Sequence, residues 1–280
     1  MRILITGANG WIGSELVRRL GKFPGRYSVN RVSVRGNAWE NDDWSAYDSV
    51  VHLAADAYGE NPEAANTELS RRVAEKCSRD GVSHVVLMSS FAVYGTEAIK
   101  KDVVVDGSTI PAPSNPYGRS KFASEAAMKA VLENSTSRLA IIRAPLVYGP
   151  GEKGGNFPKL VTLAKKAPIF PKTSNGRSMI YSQSLCELVR LLCDKQLAGI
   201  YLPQDYSYHD TSDLVRDLGA AQGKKVHIVP GAPLCHAAAG LNPKMGKLFG
   251  SDRYDLTASD CGLDYRVCSD AEAVRCSAIG

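Results

Sequence analysis

Three glycines spaced three apart, Gly7, Gly10 and Gly13, stand between a short apolar run, Arg2 to Thr6, and an amphipathic stretch, Trp11 to Leu20. A strand, a glycine turn and a helix in that order admit few folds. Gly7 permits a tight reversal, Gly10 lets phosphates approach the backbone, and Gly13 lets the helix pack closely. The helix N-terminus would present free N–H groups and a partial positive charge. Gly7, Asn9, Gly10, Trp11, Ile12 and Gly13 are therefore the expected seat of a nicotinamide dinucleotide in a Rossmann-type unit. A glycine turn without a ligand is the plain alternative.

The chain then repeats that alternation. Val29 to Arg35, Ser49 to Leu53, Val85 to Ser89 and Leu139 to Arg143 read as strands. Asn66 to Arg79, stopped by Gly81, and Pro116 to Glu133 read as helices. Near-continuous apolar strands separated by helices predict an α/β doubly wound parallel sheet. Past Pro150 glycine and proline cluster and the elements shorten. Residues 1–150 are expected to form the dinucleotide-binding domain. Residues 151–280 form a smaller substrate-binding region, partly interleaved with it. Ser184-Leu185-Cys186-Glu187 has the S-x-x-E spacing of a capping box, predicting a helix that opens there.

The 280 residues and 44% hydrophobic content suit a large core. The net charge of +5 comes with no basic block, so no nucleic-acid partner is expected. No apolar run has the length of a membrane span, and the chain opens directly in a strand, so a cytoplasmic protein is expected. The seven cysteines form no C-x-x-C pair, so neither a metal site nor a disulfide framework is expected.

The end of the second strand discriminates between cofactors. An acid there would hold a ribose hydroxyl, whereas an arginine accommodates a 2′-phosphate. The segment reads Ser33-Val34-Arg35-Gly36, and Arg35 favours NADP over NAD. Farther on, Tyr117 and Lys121 form a Y-x-x-x-K, with Asn115 as the expected N-cap and Pro116 in the first turn. Four residues apart, they share a helix face. A free phenol has a pKa of about 10, and bringing it near 7 takes roughly 4 kcal/mol, which a neighbouring ammonium would help supply. A hydroxyl from Ser89-Ser90 at a strand end could hold the reacting oxygen.

These segments together resemble the extended short-chain dehydrogenase/reductases of the epimerase/dehydratase type, in their nucleotide-sugar branch. The glycine motif is Thr6 to Gly13, and His52-Leu53-Ala54-Ala55 matches H-L-A-A. Ser89 to Gly95 matches S-S-x-x-V-Y-G, and Arg143 to Pro150 matches R-x-x-x-V-Y-G-P. The resemblance implies that Tyr117 takes a proton from a sugar hydroxyl, that Ser90 holds the oxygen, and that Lys121 holds the nicotinamide ribose. Hydride would leave the sugar C4 and, in an epimerase, return to the other face. It also implies cofactor contacts from Leu53, Ala54, Ala55 and Pro145, a structural role for Asn66, and a possible homodimer.

The substrate half departs from the pattern. Leu146 stands where many relatives carry a substrate-touching asparagine, a variant that resembles a subgroup making surface-polysaccharide sugars. Arg177 resembles the arginine that grips the substrate diphosphate, or else is a surface arginine. Arg253 is a weaker candidate for a second such arginine. His52 is expected to be buried and structural. Asp43-Trp44 is expected either at the adenine or in a surface loop. The leading expectation is an NAD(P)-dependent nucleotide-sugar 4-epimerase. An NADPH-dependent 4-keto-sugar reductase and a non-catalytic dinucleotide-binding protein stand as alternatives.

Overall fold

The structure, a computed structural model, describes residues 1–55, 61–95, 103–231 and 250–279. Cys235 lies outside them. Six parallel strands form the central sheet: β1 (Arg2–Thr6), β2 (Ser28–Val32), β3 (Ser49–His52), β4 (His84–Ser90), β6 (Arg138–Ala144) and β10 (Gly199–Tyr201). Their spatial order is β10-β6-β4-β3-β1-β2. β1 therefore lies between β2 and β3, and the chain reverses its direction of winding beside it. That switch point opens a crevice at the strands' C-terminal ends, where α/β sheets bind ligands.

Alternation along each strand sends neighbouring side chains to opposite faces. Ile3, Ile5, Val51, Val86, Ala140 and Ile142 pack with α1 (Trp11–Gly21) and α5 (Ser182–Lys195). Leu4, Val50, Val85, Leu87 and Ile141 pack on the other face with α2 (Pro62–Arg79) and α3 (Pro116–Leu132). Both faces are covered, as the apolar strand pattern requires. A second cluster gathers Tyr148 and Phe157 with Leu214, Val215 and Val274, around α4 (Phe157–Lys166), α6 (Thr211–Ala221) and α7 (Asp270–Ile279). Two-residue and three-residue strands complete it: β7 (Leu146–Tyr148) beside β9 (Met179–Tyr181), and β8 (Ile169–Pro171) beside β11 (His227–Val229). β5 (Val104–Val105) pairs with β12 (Arg253–Tyr254).

Three local expectations change. The second strand stops at Val32, whose partner Thr6 is the last residue of β1, and the chain then bends away. Ser184 does not cap a helix. α5 begins two residues earlier at Ser182, with no side-chain cap at Tyr181. Ser184 instead accepts the Val267 N–H at 3.3 Å, and Glu187 pairs with Arg19 and Arg190. Helical residues at these positions have tertiary partners stronger than a local reciprocal cap. Asp43 is exposed, but Trp44 is not in an exposed loop: it packs in the core with Trp39. Both are at most 2% exposed and stack at 5.5 Å within the core beneath α2.

Gly262-Leu263-Asp264-Tyr265 is structural: Tyr265 is fully buried and its hydroxyl donates to the Gln204 carbonyl at 2.9 Å. Among the described residues the six cysteines are free thiols and no helix is long and apolar enough to cross a membrane.

Candidate active site

The glycine loop is built by contacts that exclude a Cβ. Gly7 has φ +72°, and a Cβ on it would sit 2.6 Å from the Ala54 nitrogen. A Cβ on Gly13 would meet the Gly7 carbonyl oxygen at 2.4 Å. The Gly10 N–H donates to that same oxygen at 3.0 Å, which closes the turn. α1 starts at Trp11, so its free N–H groups face the crevice end of β1.

A cavity of about 1390 Å³ opens there. One wall is Gly7, Asn9, Gly10, Leu53, Ala54 and Ala55, and the far end is Arg31, Ser33, Arg35 and Asn37. The close backbone, the helix terminus and the guanidinium-lined end suit an extended dianionic dinucleotide. Trp11, Ile12, Gly13, Pro145, Tyr117 and Lys121, all expected at the cofactor, do not line this cavity. The Trp11 indole donates to the Pro150 carbonyl at 2.9 Å, pinning the glycine loop to the turn after β7. Ile12 packs into the core. Arg72, on α2, also reaches the cavity, held by Glu40 and by Asn37 at 2.7 Å. Sequence reasoning misses Arg31 and Arg72. Their signal is faint, a basic residue in an edge strand and one in a helix with many charges.

Tyr117, Lys121 and Ser90 come together where β4 meets α3. Asn115 caps α3 by accepting the Gly118 N–H at 2.8 Å. A Cβ on Gly118 would lie 2.3 Å from the Ala92 carbonyl oxygen, so glycine lets the helix start press against the turn after β4. This brings Tyr117 up to the end of β4 at Ser90, whose hydroxyl accepts the Ala92 N–H at 3.2 Å. Tyr117 as a whole residue is half-exposed. Burial raises the phenol above its ordinary range, and Ser90 works against that. The expected lowering by Lys121 is not what this chain's own groups produce. The ammonium stands 6.0 Å from the ring centroid and donates to the Met88 carbonyl at 2.9 Å. Burial pushes Lys121 down to about 8, with Glu125 acting upward.

Buried neighbours frame this group. His52 accepts or donates to Thr6 Oγ1 at 2.7 Å, and burial, then the Lys121 charge, pushes it down to about 3, so it is neutral and structural. The Asn66 amide donates to Ser120 at 2.9 Å, joining α2 to α3 between cavity and Tyr117. Arg143 lies buried in β6 and forms a two-pronged ion pair with Glu125, closest approach 2.7 Å. Glu125 is a further residue that sequence reasoning misses, although a signal exists. A charge in the apolar run Leu139 to Ala144 needs a buried partner, and Glu125 follows Lys121 by one helical turn.

The substrate-side candidates lie elsewhere. Leu146 opens β7 beside Met179. Arg177 is not a free surface arginine: its backbone bridges His209, and its guanidinium stands 3.7 Å from Asp252. Arg253 packs over the Tyr208 ring at 5.7 Å, next to Gly176.

A parallel sheet with its glycine loop at the switch point and a Ser, Tyr, Lys cluster at the adjoining strand end defines a nicotinamide-dependent dehydrogenase fold. The chain belongs to the NAD dependent epimerase/dehydratase family, whose model matches residues 3–201. It is thus an NAD(P)-dependent enzyme of that family. It is 29% identical to a UDP-glucose 4-epimerase of Vibrio cholerae over 94% of this chain and 87% of the relative. In fold it is similar to UDP-glucuronic acid 4-epimerase of Bacillus cereus in complex with NAD (TM-score 0.75, 20% identity, 99% and 97% of the two chains). It is also similar to RMD of Pseudomonas aeruginosa complexed with NADPH (TM-score 0.77, 19% identity, 99% and 98%).

Proposed function

We propose that this enzyme is a nucleotide-sugar 4-epimerase serving surface-polysaccharide synthesis. The gathering of Tyr117, Lys121 and Ser90 where β4 meets α3, with the Lys121 ammonium 6.0 Å from the Tyr117 ring, supports the reading. Tyr117 takes the proton of the sugar C4 hydroxyl and later returns it. Ser90 holds that oxygen in line, and Lys121 holds the nicotinamide ribose. Gly7, Asn9, Gly10, Leu53, Ala54 and Ala55 seat the dinucleotide, which when bound supplies the hydride acceptor and donor. Leu146 and Arg177 orient the nucleotide sugar. Tyr117→Phe is expected to lower interconversion of UDP-glucose and UDP-galactose by roughly 10²- to 10⁴-fold, the usual worth of a positioned base. Unchanged turnover would end the reading.

Arg31 and Arg35 favour NADP and, with it, a second reading as a 4-keto nucleotide-sugar reductase. Replacing both by alanine is expected to weaken NADPH binding at least roughly 100-fold, since each charge-assisted bond is worth about 1.5–3 kcal/mol, and to leave NADH binding unchanged. Cofactor released from the purified enzyme separates the readings. Tightly retained NAD argues for the epimerase, whereas stoichiometric consumption of added NADPH argues for the reductase.

A further inference from the structure

Residues 153–186 and 218–231 hold eight of the chain's 34 basic residues and none of its 29 acidic ones, so the rest of the chain is net acidic although the whole carries +5. The fold lays parts of these two segments side by side. β8 pairs in parallel with β11, Ile169 opposite His227, and the Lys172 N–H donates to the Val229 carbonyl at 2.7 Å. Lys165-Lys166 leads into β8 as Lys224-Lys225 leads into β11. The Ala164 and Lys224 carbonyl oxygens lie within 3.5 Å of one point, where a Cβ on Gly219 would stand. On α4, Lys159, Thr162, Leu163 and Lys166 form one exposed stripe at helical spacing, while Phe157 and Ala164 face the core. Lys153 borders the same groove as Lys159 and Thr162.

We propose that the outer stripe of α4 and the β8–β11 ribbon dock the enzyme on an anionic membrane surface. Among the described residues, Lys159, Lys165, Lys166, Lys224 and Lys225 are exposed and have no ion-pair partner. The acids of α6, the helix packed against α4, do not neutralise them: Asp213 and Asp217 are held by Arg216 at 2.7 and 2.9 Å, and Asp213 also holds Lys172 at 3.3 Å. Apolar side chains stand exposed among the lysines, Leu163 at 37%, Ile169 at 59% and Val229 at 37%. A surface that serves solubility alone mixes both signs and keeps aliphatic groups few. This one has a single sign and three aliphatic groups. The ammonium groups meet lipid phosphates, and Leu163, Ile169 and Val229 reach the acyl boundary. The patch suits lipid better than nucleic acid, since it has neither an exposed aromatic ring for base stacking nor an arginine to fork onto phosphates. None of its residues lines the dinucleotide cavity, so the cofactor does not account for the charge.

The test uses the full chain with vesicles of phosphatidylglycerol and phosphatidylcholine in equal parts, against vesicles of phosphatidylcholine alone. Co-sedimentation at low ionic strength is expected with the anionic vesicles only, and is expected to weaken as added salt screens the charges. K165Q/K166Q/K225Q is expected to bind at least roughly 50-fold more weakly, since each lysine near an anionic surface is worth roughly a factor of five. K22Q/K129Q/K195Q removes as much charge from exposed positions elsewhere and is expected to bind as the parent does. L163Q/I169Q is expected to lose roughly tenfold or more, because two apolar groups no longer leave water. If that pair does not fold, I169Q at the more exposed site replaces it. All variants are expected to keep the parent's melting temperature and its turnover of UDP-galactose without vesicles, so the binding result stands apart from the reaction proposed for Tyr117. Failure of the parent to bind anionic vesicles overturns the proposal. So does an equal loss from both lysine triples, which would mark net charge alone. Retention on single-stranded DNA that rivals the vesicles and ignores L163Q/I169Q overturns it too, in favour of a nucleic-acid surface.

Discussion

A methyl group on Gly13 would sit 2.4 Å from the Gly7 carbonyl, an oxygen already fixed by the Gly10 N–H. Neither side can yield without opening the turn. Gly13→Ala is expected to cost about 1–3 kcal/mol in urea denaturation, the range of overpacking, and to weaken dinucleotide binding in calorimetry. Gly21, at the end of the same helix with open space around it, provides the contrast. Its alanine variant is expected to be neutral or stabilising by up to about 1 kcal/mol. His52 allows a prediction about pH. Its folded pKa, about 3, lies below the ordinary 6.5, so the unfolded chain binds the proton first as pH falls. The stability it contributes is complete above pH 6.5 and declines between 6.5 and 3. The slope is at most about 1.4 kcal/mol per pH unit. Comparing unfolding of the parent and His52→Gln across that window checks it, because the variant lacks this part of the slope. At this scale much is legible in the sequence. Tyr117 and Lys121 can be named as candidates because they stand one helical turn apart, and Ser90 because its segment resembles a family motif. The ionisation of Tyr117 is not legible, because burial and a neighbour from another strand govern it.

Between elements, contact distance replaces spacing. α3 reaches the turn after β4 only because residue 118 has no side chain, and the Asn115 cap fixes where the helix starts. Gly118→Ala is expected to push the helix start away from the Ala92 carbonyl and part Tyr117 from Ser90. Steady-state assays should show kcat lowered at least roughly tenfold. The S-x-x-E of Ser184 to Glu187 shows the opposite case. The local pattern is correct as a helix signal, but its side chains serve the rest of the molecule. Glu187 joins Arg19 of α1 to Arg190 of α5, at 2.8 and 2.6 Å. No local rule could tell that a capping glutamate was needed for an interhelical bridge.

Over the whole molecule, the core on the α1 face crosses residue 150. Ile3, Ile5, Leu16 and Ile142 pack with Ile180, Leu185, Leu188 and Leu192, and with Tyr265 near the end. β10, the last strand of the sheet, also comes from the later part and lies beside β6. A fragment of residues 1–150 would therefore expose one face of its sheet and an unpaired edge. Each apolar side chain so exposed forgoes roughly 1.5–3 kcal/mol. The fragment is expected to lack the near-ultraviolet circular dichroism and dispersed amide spectrum of the full chain. A compact, dispersed fragment would show that the earlier part folds alone.

The sequence by itself determined the alternation of strands and helices, the glycine turn and the order of the candidate motifs, because each arises from periodicity or from short runs of neighbouring residues. Tertiary structure alone decided the partners. It placed Trp39 and Trp44 in the core, set Arg31 beside Arg35, and closed Glu125 onto Arg143 across 18 positions. Those contacts join different elements, and only the sheet order brings them within reach.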